Sequence, residues 1–86
     1  MKDIGSIVLY GASWCGDCIR SENVLNRMNI EYKKIDIDEN PEVEGYIRKI
    51  QKGSRKIPLI VFEDKSFLIE PSDEDLTSKL EELISN

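Results

Sequence analysis

Ile7-Val8-Leu9-Tyr10-Gly11-Ala12-Ser13-Trp14-Cys15-Gly16-Asp17-Cys18 holds the only two cysteines of the chain, separated by two residues and placed just after a continuous apolar run. Ile7 to Tyr10 is short and unbroken, as in a strand buried on both faces. Beyond the cysteines, Ser21, Val24, Leu25 and Met28 recur at the spacing of one helix face, with Cys18 one step further back on that face and Cys15 preceding it. That placement predicts Cys18 pointing inward and Cys15 exposed at the tip. A Cys-x-x-Cys pair between a strand and a helix reads as a redox site. The helix start leaves its first N–H groups unpaired, and those groups together with the helix dipole favour a thiolate. The second cysteine, one turn on, can close a disulfide.

The rest of the chain surrounds this unit with alternating elements. Glu31 to Ile37 sets Ile35 and Ile37 against Lys34 and Asp36, the alternation of a strand near a sheet edge. Asn40-Pro41 supplies a helix cap with proline at the first helical position, and Val43, Tyr46, Ile47 and Ile50 form an apolar stripe that should be core. Gly53-Ser54 ends that helix. Pro58 opens a third apolar run, Leu59-Ile60-Val61-Phe62; a polar turn, Glu63 to Ser66, then leads into Phe67-Leu68-Ile69, and the whole reads as a hairpin. Ser72 with Asp75 resembles a capping box before a last helix, whose Leu76, Leu80 and Leu83 should be core and whose pattern runs on to Ile84. The order is β-α-β-α-β-β-α: an α/β fold with one mixed four-stranded sheet flanked by helices, its first two strands parallel across a helical crossover.

With 86 residues there is room for one domain, residues 1-86, and no repeat or linker interrupts it. A composition of 40% hydrophobic and 34% charged residues is that of a soluble globular chain, without the roughly 18 consecutive apolar residues of a membrane span. Seventeen acidic against twelve basic residues, net charge -5, argue against nucleic acid, which is held by clustered Lys and Arg. Met1 to Ser6 lacks the apolar core of a secretory signal, so a cytoplasmic location is expected. In a reducing compartment a disulfide closing so short a loop would be a poor staple, which leaves chemistry as the reason for the two thiols.

Taken with the element order, the Tyr10 to Cys18 segment, Ile57-Pro58 and Ser72-Asp73 make the chain resemble the thioredoxin superfamily. Its short length makes it similar to glutaredoxins. Asn40-Pro41-Glu42, Lys56 to Phe62 and Glu70-Pro71-Ser72 look most like the mycoredoxin and glutaredoxin-like branch, while Trp14-Cys15-Gly16 is similar to thioredoxin. Glutathione-using glutaredoxins often carry a lysine three residues before the first cysteine and a glycine pair before the Ser/Cys-Asp of the last helix. Ala12 and Glu70-Pro71 stand in those places, which counts against glutathione.

The resemblance implies a thiol-disulfide oxidoreductase in which Cys15 attacks a substrate disulfide and Cys18 resolves the mixed disulfide. The chain has no histidine to act as a base, so Arg20, Arg55 and Lys56 are the candidate cations beside Cys15. Asp17 supports the first helical turn through the dipole, yet its charge opposes a thiolate next to it. Read from the residues alone, Pro58 would be trans, because only about 5–6% of X-Pro bonds in folded proteins are cis. The resemblance implies a cis bond, with Ile57 offering its backbone N–H and C=O to an extended substrate. Trp14 is expected to be exposed, shielding the disulfide and touching substrate. Ser72 and Asp73 could contact a carboxylate or amino group of a small thiol, though a plain helix cap explains Ser72 equally well.

The expected partners are disulfide-containing proteins or mixed disulfides together with a reductase, the chain acting as a monomer without nucleic acid or membrane. No bound cofactor is expected. The electron donor would be a low-molecular-weight thiol (glutathione, mycothiol or another) or a thioredoxin reductase. The alternatives are a metal carrier and a glutaredoxin that binds an iron-sulfur cluster through Cys15. Copper carriers share the cysteine placement but follow the order β-α-β-β-α-β, and a structural zinc site would need four ligands.

Overall fold

The unbroken apolar stretch Ile7–Gly11 forms β1, an inner strand whose two faces are both covered. The computed structural model describes residues 4–85; Met1 to Asp3, on which the reading of the N-terminus partly rests, and Asn86 lie outside the described residues. β1 is followed by α1 (Gly16–Arg27), β2 (Lys33–Asp36), a 3-10 turn (Pro41–Val43) leading into α2 (Glu44–Ile50), β3 (Leu59–Phe62), β4 (Phe67–Ile69) and α3 (Asp73–Ser85). The sheet runs β2-β1-β3-β4, with β1 and β2 parallel and the other pairs antiparallel. This is the expected order and sheet, a thioredoxin-like α/β fold.

Because side chains alternate across a strand, β1 and β3 each feed two cores. Ile7, Leu9, Ile60 and Phe62 join Val24 and Leu25 of α1 and Leu76 and Leu80 of α3 in one cluster. Tyr10, Leu59 and Val61 join Ile47 of α2, Ala12, Ile37, Cys15 and Cys18 in the other. The two cysteines therefore sit where the second core meets the end of β1. β2 lies at the sheet edge as its alternation suggested, but it is shorter than Glu31 to Ile37; only the Ile37 N–H continues the pairing, to Gly11 O at 2.9 Å.

Two local expectations are corrected. Asn40 occupies the position before the Pro41 turn but does not cap it, because its side-chain amide turns back to donate to Asp36 O at 2.9 Å. Tyr46 is not core: it is 41% exposed and lies against the rim of the second cluster, its ring 5.7 Å from that of Tyr10, while Ile47 is buried and Val43 and Ile50 are partly so. Ser72 does cap α3, accepting the Asp75 N–H on Oγ at 3.0 Å.

Ser21 is 1% exposed on the inner face of α1, and its hydroxyl has no hydrogen-bond partner among the described residues. A buried hydroxyl left unpaired costs about 1–3 kcal/mol of desolvation. Ser21→Ala is expected to raise the stability by about 1 kcal/mol, read as a higher urea midpoint at unchanged slope.

Candidate redox active site

The site begins as a helix-capping problem. The chain leaves β1, turns through Ala12 to Trp14 with the Cys15 N–H on Ala12 O at 3.2 Å, and enters α1 with Cys15 extended at the cap position. Ordinarily a Ser, Thr, Asp or Asn oxygen would accept one of the orphan N–H groups there. Here the Cys15 Sγ accepts the Cys18 N–H at 3.1 Å. A thiolate accepts such a bond more strongly than a thiol, and the helix dipole acts in the same direction.

That geometry corrects the expected exposure. Cys15 is 7% exposed rather than standing free at the tip, because the cap turns its sulfur back over the first turn and onto the second core. Cys18 lies directly beneath, fully buried, as expected. Burial, and then the hydrogen bond of its thiol to Cys15, push the Cys18 thiol up from its ordinary 9.0 to about 12, although a backbone hydrogen bond from Ala12 pulls the other way. The pair thus consists of one sulfur at the surface of a groove and one held protonated below it.

The groove over Cys15 has a volume of about 490 Å³ and is lined by Trp14, Gly16, Asp17, Arg55, Lys56, Ile57 and Glu70. Trp14 is 68% exposed, and its indole N–H donates to Asp38 Oδ2 at 2.7 Å, fixing the ring beside the cysteine. Ile57 lines the groove, the Ile57–Pro58 bond is cis, and Pro58 is buried behind it. Gln51 fixes the loop before it, its side chain accepting the Lys56 N–H and donating to Lys56 O, both at 2.9 Å. Arg55 and Lys56 reach the groove, but Arg20 does not belong with them. Its guanidinium bonds Asp73 at 2.9 Å, Asp17 at 3.0 Å and the Pro71 carbonyl at 3.3 Å. Ser72 and Asp73 likewise serve the start of α3 and the Arg20 clamp, and neither lines the groove.

Three participants were not singled out as functional. Gly11 ends β1 where a Cβ would lie 2.9 Å from Cys18 Sγ and 3.1 Å from Leu9, so only glycine leaves room for the buried thiol. A glycine inside a strand pattern is a known mark of such close approach. Asp38 holds Trp14 from the loop after β2, a contact with no signature in the local sequence. Glu70 lines the groove, and only its standing where relatives carry glycine pointed to it.

A capping Cys-x-x-Cys at the end of the first strand, opposite a cis proline that opens the third, defines a thioredoxin-fold dithiol protein. The glutaredoxin family model matches residues 7–67. A protein of Mycobacterium tuberculosis named as a glutaredoxin is 32% identical over 75 residues, 87% of this chain and 89% of that protein. Mycoredoxin 1 of Corynebacterium glutamicum is 24% identical over 80 residues, 93% of this chain and 99% of that one. The crystal structure of a glutaredoxin from Archaeoglobus fulgidus superposes with a TM-score of 0.73 at 28% identity, covering 93% of this chain and 86% of that one. The chain belongs to the glutaredoxin family and is a thiol redox oxidoreductase in that general sense. Among the described residues no helix is long and apolar enough to cross a membrane.

Two outcomes follow from this geometry. Because Cys18 titrates higher in the folded than in the unfolded chain, its contribution to stability is complete below pH 9.0 and is lost as the pH rises toward 12. Denaturant titrations of the reduced protein across that interval should show the decline, and Cys18→Ala should flatten it. Gly11→Ala should press a methyl onto the Cys18 sulfur and lower the stability of the reduced protein by about 1–3 kcal/mol. An unchanged denaturation midpoint would show that the strand end yields.

Proposed function

We propose that the protein is a dithiol thiol-disulfide oxidoreductase in which Cys15 is the nucleophile and Cys18 the resolving thiol. The observation that carries this reading is the asymmetry of the pair: one sulfur faces the groove and accepts a helix-start N–H, while the other is buried beneath it and protonated. Cys15 thiolate attacks one sulfur of the substrate disulfide, a new S–S bond forms as the old one breaks, and the departing sulfur leaves as a thiolate that takes a proton from water. Cys18 then gives up its proton to solvent and attacks Cys15 Sγ, expelling the second substrate thiolate. The substrate gains two electrons and two protons, and the protein is left as the Cys15-Cys18 disulfide. Within the groove, Trp14 and the Ile57 backbone before cis-Pro58 position the substrate, and Asp17 and Lys56 adjust the charge around Cys15.

For the electron donor, the lysine and glycine pair of glutathione-using relatives are replaced by Ala12 and Glu70-Pro71, and Asp73 is already engaged by Arg20. These features favour recharging by a thioredoxin-type reductase. The test is NADPH oxidation with a disulfide substrate in two arms, one with glutathione and its reductase and one with thioredoxin reductase alone. Turnover is expected in the second arm, lost in Cys15→Ser, with Cys18→Ser accumulating a mixed disulfide visible by mass spectrometry. Turnover only with glutathione would reverse the donor assignment. Silence in both arms, with bound iron after anaerobic purification, would replace the redox reading by metal or cluster binding.

A further inference from the structure

Glu70 stands in a conformation that its side chain does not favour. Its φ is +46°, in the left-handed region where glycine is at home, and its N–H is pinned to Pro58 O at 2.9 Å by the pairing that closes the β3-β4 hairpin. The backbone at this point therefore asks for glycine, and the chain supplies a carboxylate. A non-glycine residue in that region is a cost of order 1–3 kcal/mol that other interactions must offset. The hairpin pairing holds the backbone there, and among the described residues the Glu70 carboxylate itself has neither a hydrogen bond nor an ion pair. Glu70 is one of the residues lining the groove over Cys15.

Four charged side chains line that groove: Asp17 and Glu70 are acidic, Arg55 and Lys56 basic. Asp17 is paired with Arg20 at 3.0 Å, and Arg55 approaches Glu44 at 3.9 Å. Glu70 and the Lys56 ammonium have no ion pair among the described residues, so they are the charges left to meet a substrate. They come from separate segments, the loop before β3 and the turn after β4, with the reactive sulfur lying in the same groove.

We infer that Glu70 and Lys56 select substrates by charge, so that the groove takes an extended protein segment that carries both a basic and an acidic residue beside its disulfide cysteine. The inference rests on the reading of Cys15 as nucleophile and adds the class of substrate. A thiol with carboxylates alone around its sulfur meets Glu70 unfavourably; an amphoteric segment satisfies both charges.

The test uses reduced full-length protein and three small disulfides of similar size: bis(2-hydroxyethyl) disulfide, which is neutral, cystamine, a dication, and 3,3′-dithiodipropionate, a dianion. Second-order rate constants are read by stopped flow from the fluorescence of Trp14 beside Cys15. A unit charge within a few ångströms in water changes a rate by about threefold, so in Glu70→Gln the cystamine-to-dithiodipropionate ratio should fall about tenfold, and in Lys56→Gln it should rise comparably. Both shifts should vanish in 1 M salt, where the screening length is about 3 Å. Gln occupies the same backbone as Glu, so a lost fold does not confound the ratio. Unchanged ratios in both variants, or shifts that persist at high salt, overturn the inference while leaving the redox reading intact. Failure of the wild-type protein to reduce even the neutral disulfide would instead overturn the redox reading on which it rests.

Discussion

The hydrogen bond from the Cys18 N–H to Cys15 Sγ is the constraint around which the site is arranged. It makes a sulfur do the work of a capping oxygen, and in doing so it sets the direction of Cys15, the start of α1 and the depth of Cys18. Exposing Cys15 fully would leave that N–H without its partner; exposing Cys18 would pull the first turn out of the second core. The partial concealment of both sulfurs follows from one backbone donor that needs an acceptor.

Supports around the pair come from every part of the chain. Gly11 yields the space for Cys18, Asp38 fixes Trp14, Gln51 ties down the loop that carries Lys56, and Arg20 links the start of α1 to the start of α3. The Arg20 pairs are exposed, and such pairs contribute about 0–1 kcal/mol. Their role is to commit Asp17 and Asp73 to each other's neighbourhood. Asp73, which the resemblance offers as a ligand contact, and Asp17, read as a modulator of Cys15, are thereby partly used up in aligning two helices.

Much of this was legible because it depends on short-range patterns. Continuous apolar strands marked burial on both faces, helix spacing put Cys18 inside, and Ser72 announced the start of α3. The failures share a physical cause, which is that a side chain's partner lay far away in sequence or competed with the expected one. Asn40 had a carbonyl of Asp36 within reach and took it instead of capping. Tyr46 fell on the apolar stripe, but Ile47 beside it takes the buried place, and Tyr46 stays exposed against the ring of Tyr10 from β1. Arg20 was read as a cation for Cys15 because two of its three partners, 51 and 53 positions further along, cannot be seen from α1. The charge of Glu70 was visible; its left-handed backbone and its place in the groove were not.

The sheet separates two cores, and the cysteine pair belongs to only one of them. The cluster formed by α1, α3 and one sheet face holds no cysteine, and the charges around the groove all stand on exposed segments, where substitutions away from special contacts usually change stability by no more than about 0.5 kcal/mol. Residues around the groove can therefore be exchanged without disturbing the layer that holds the fold. Such a partition uncouples the rim from the interior: the one is free to vary while the other keeps the scaffold intact.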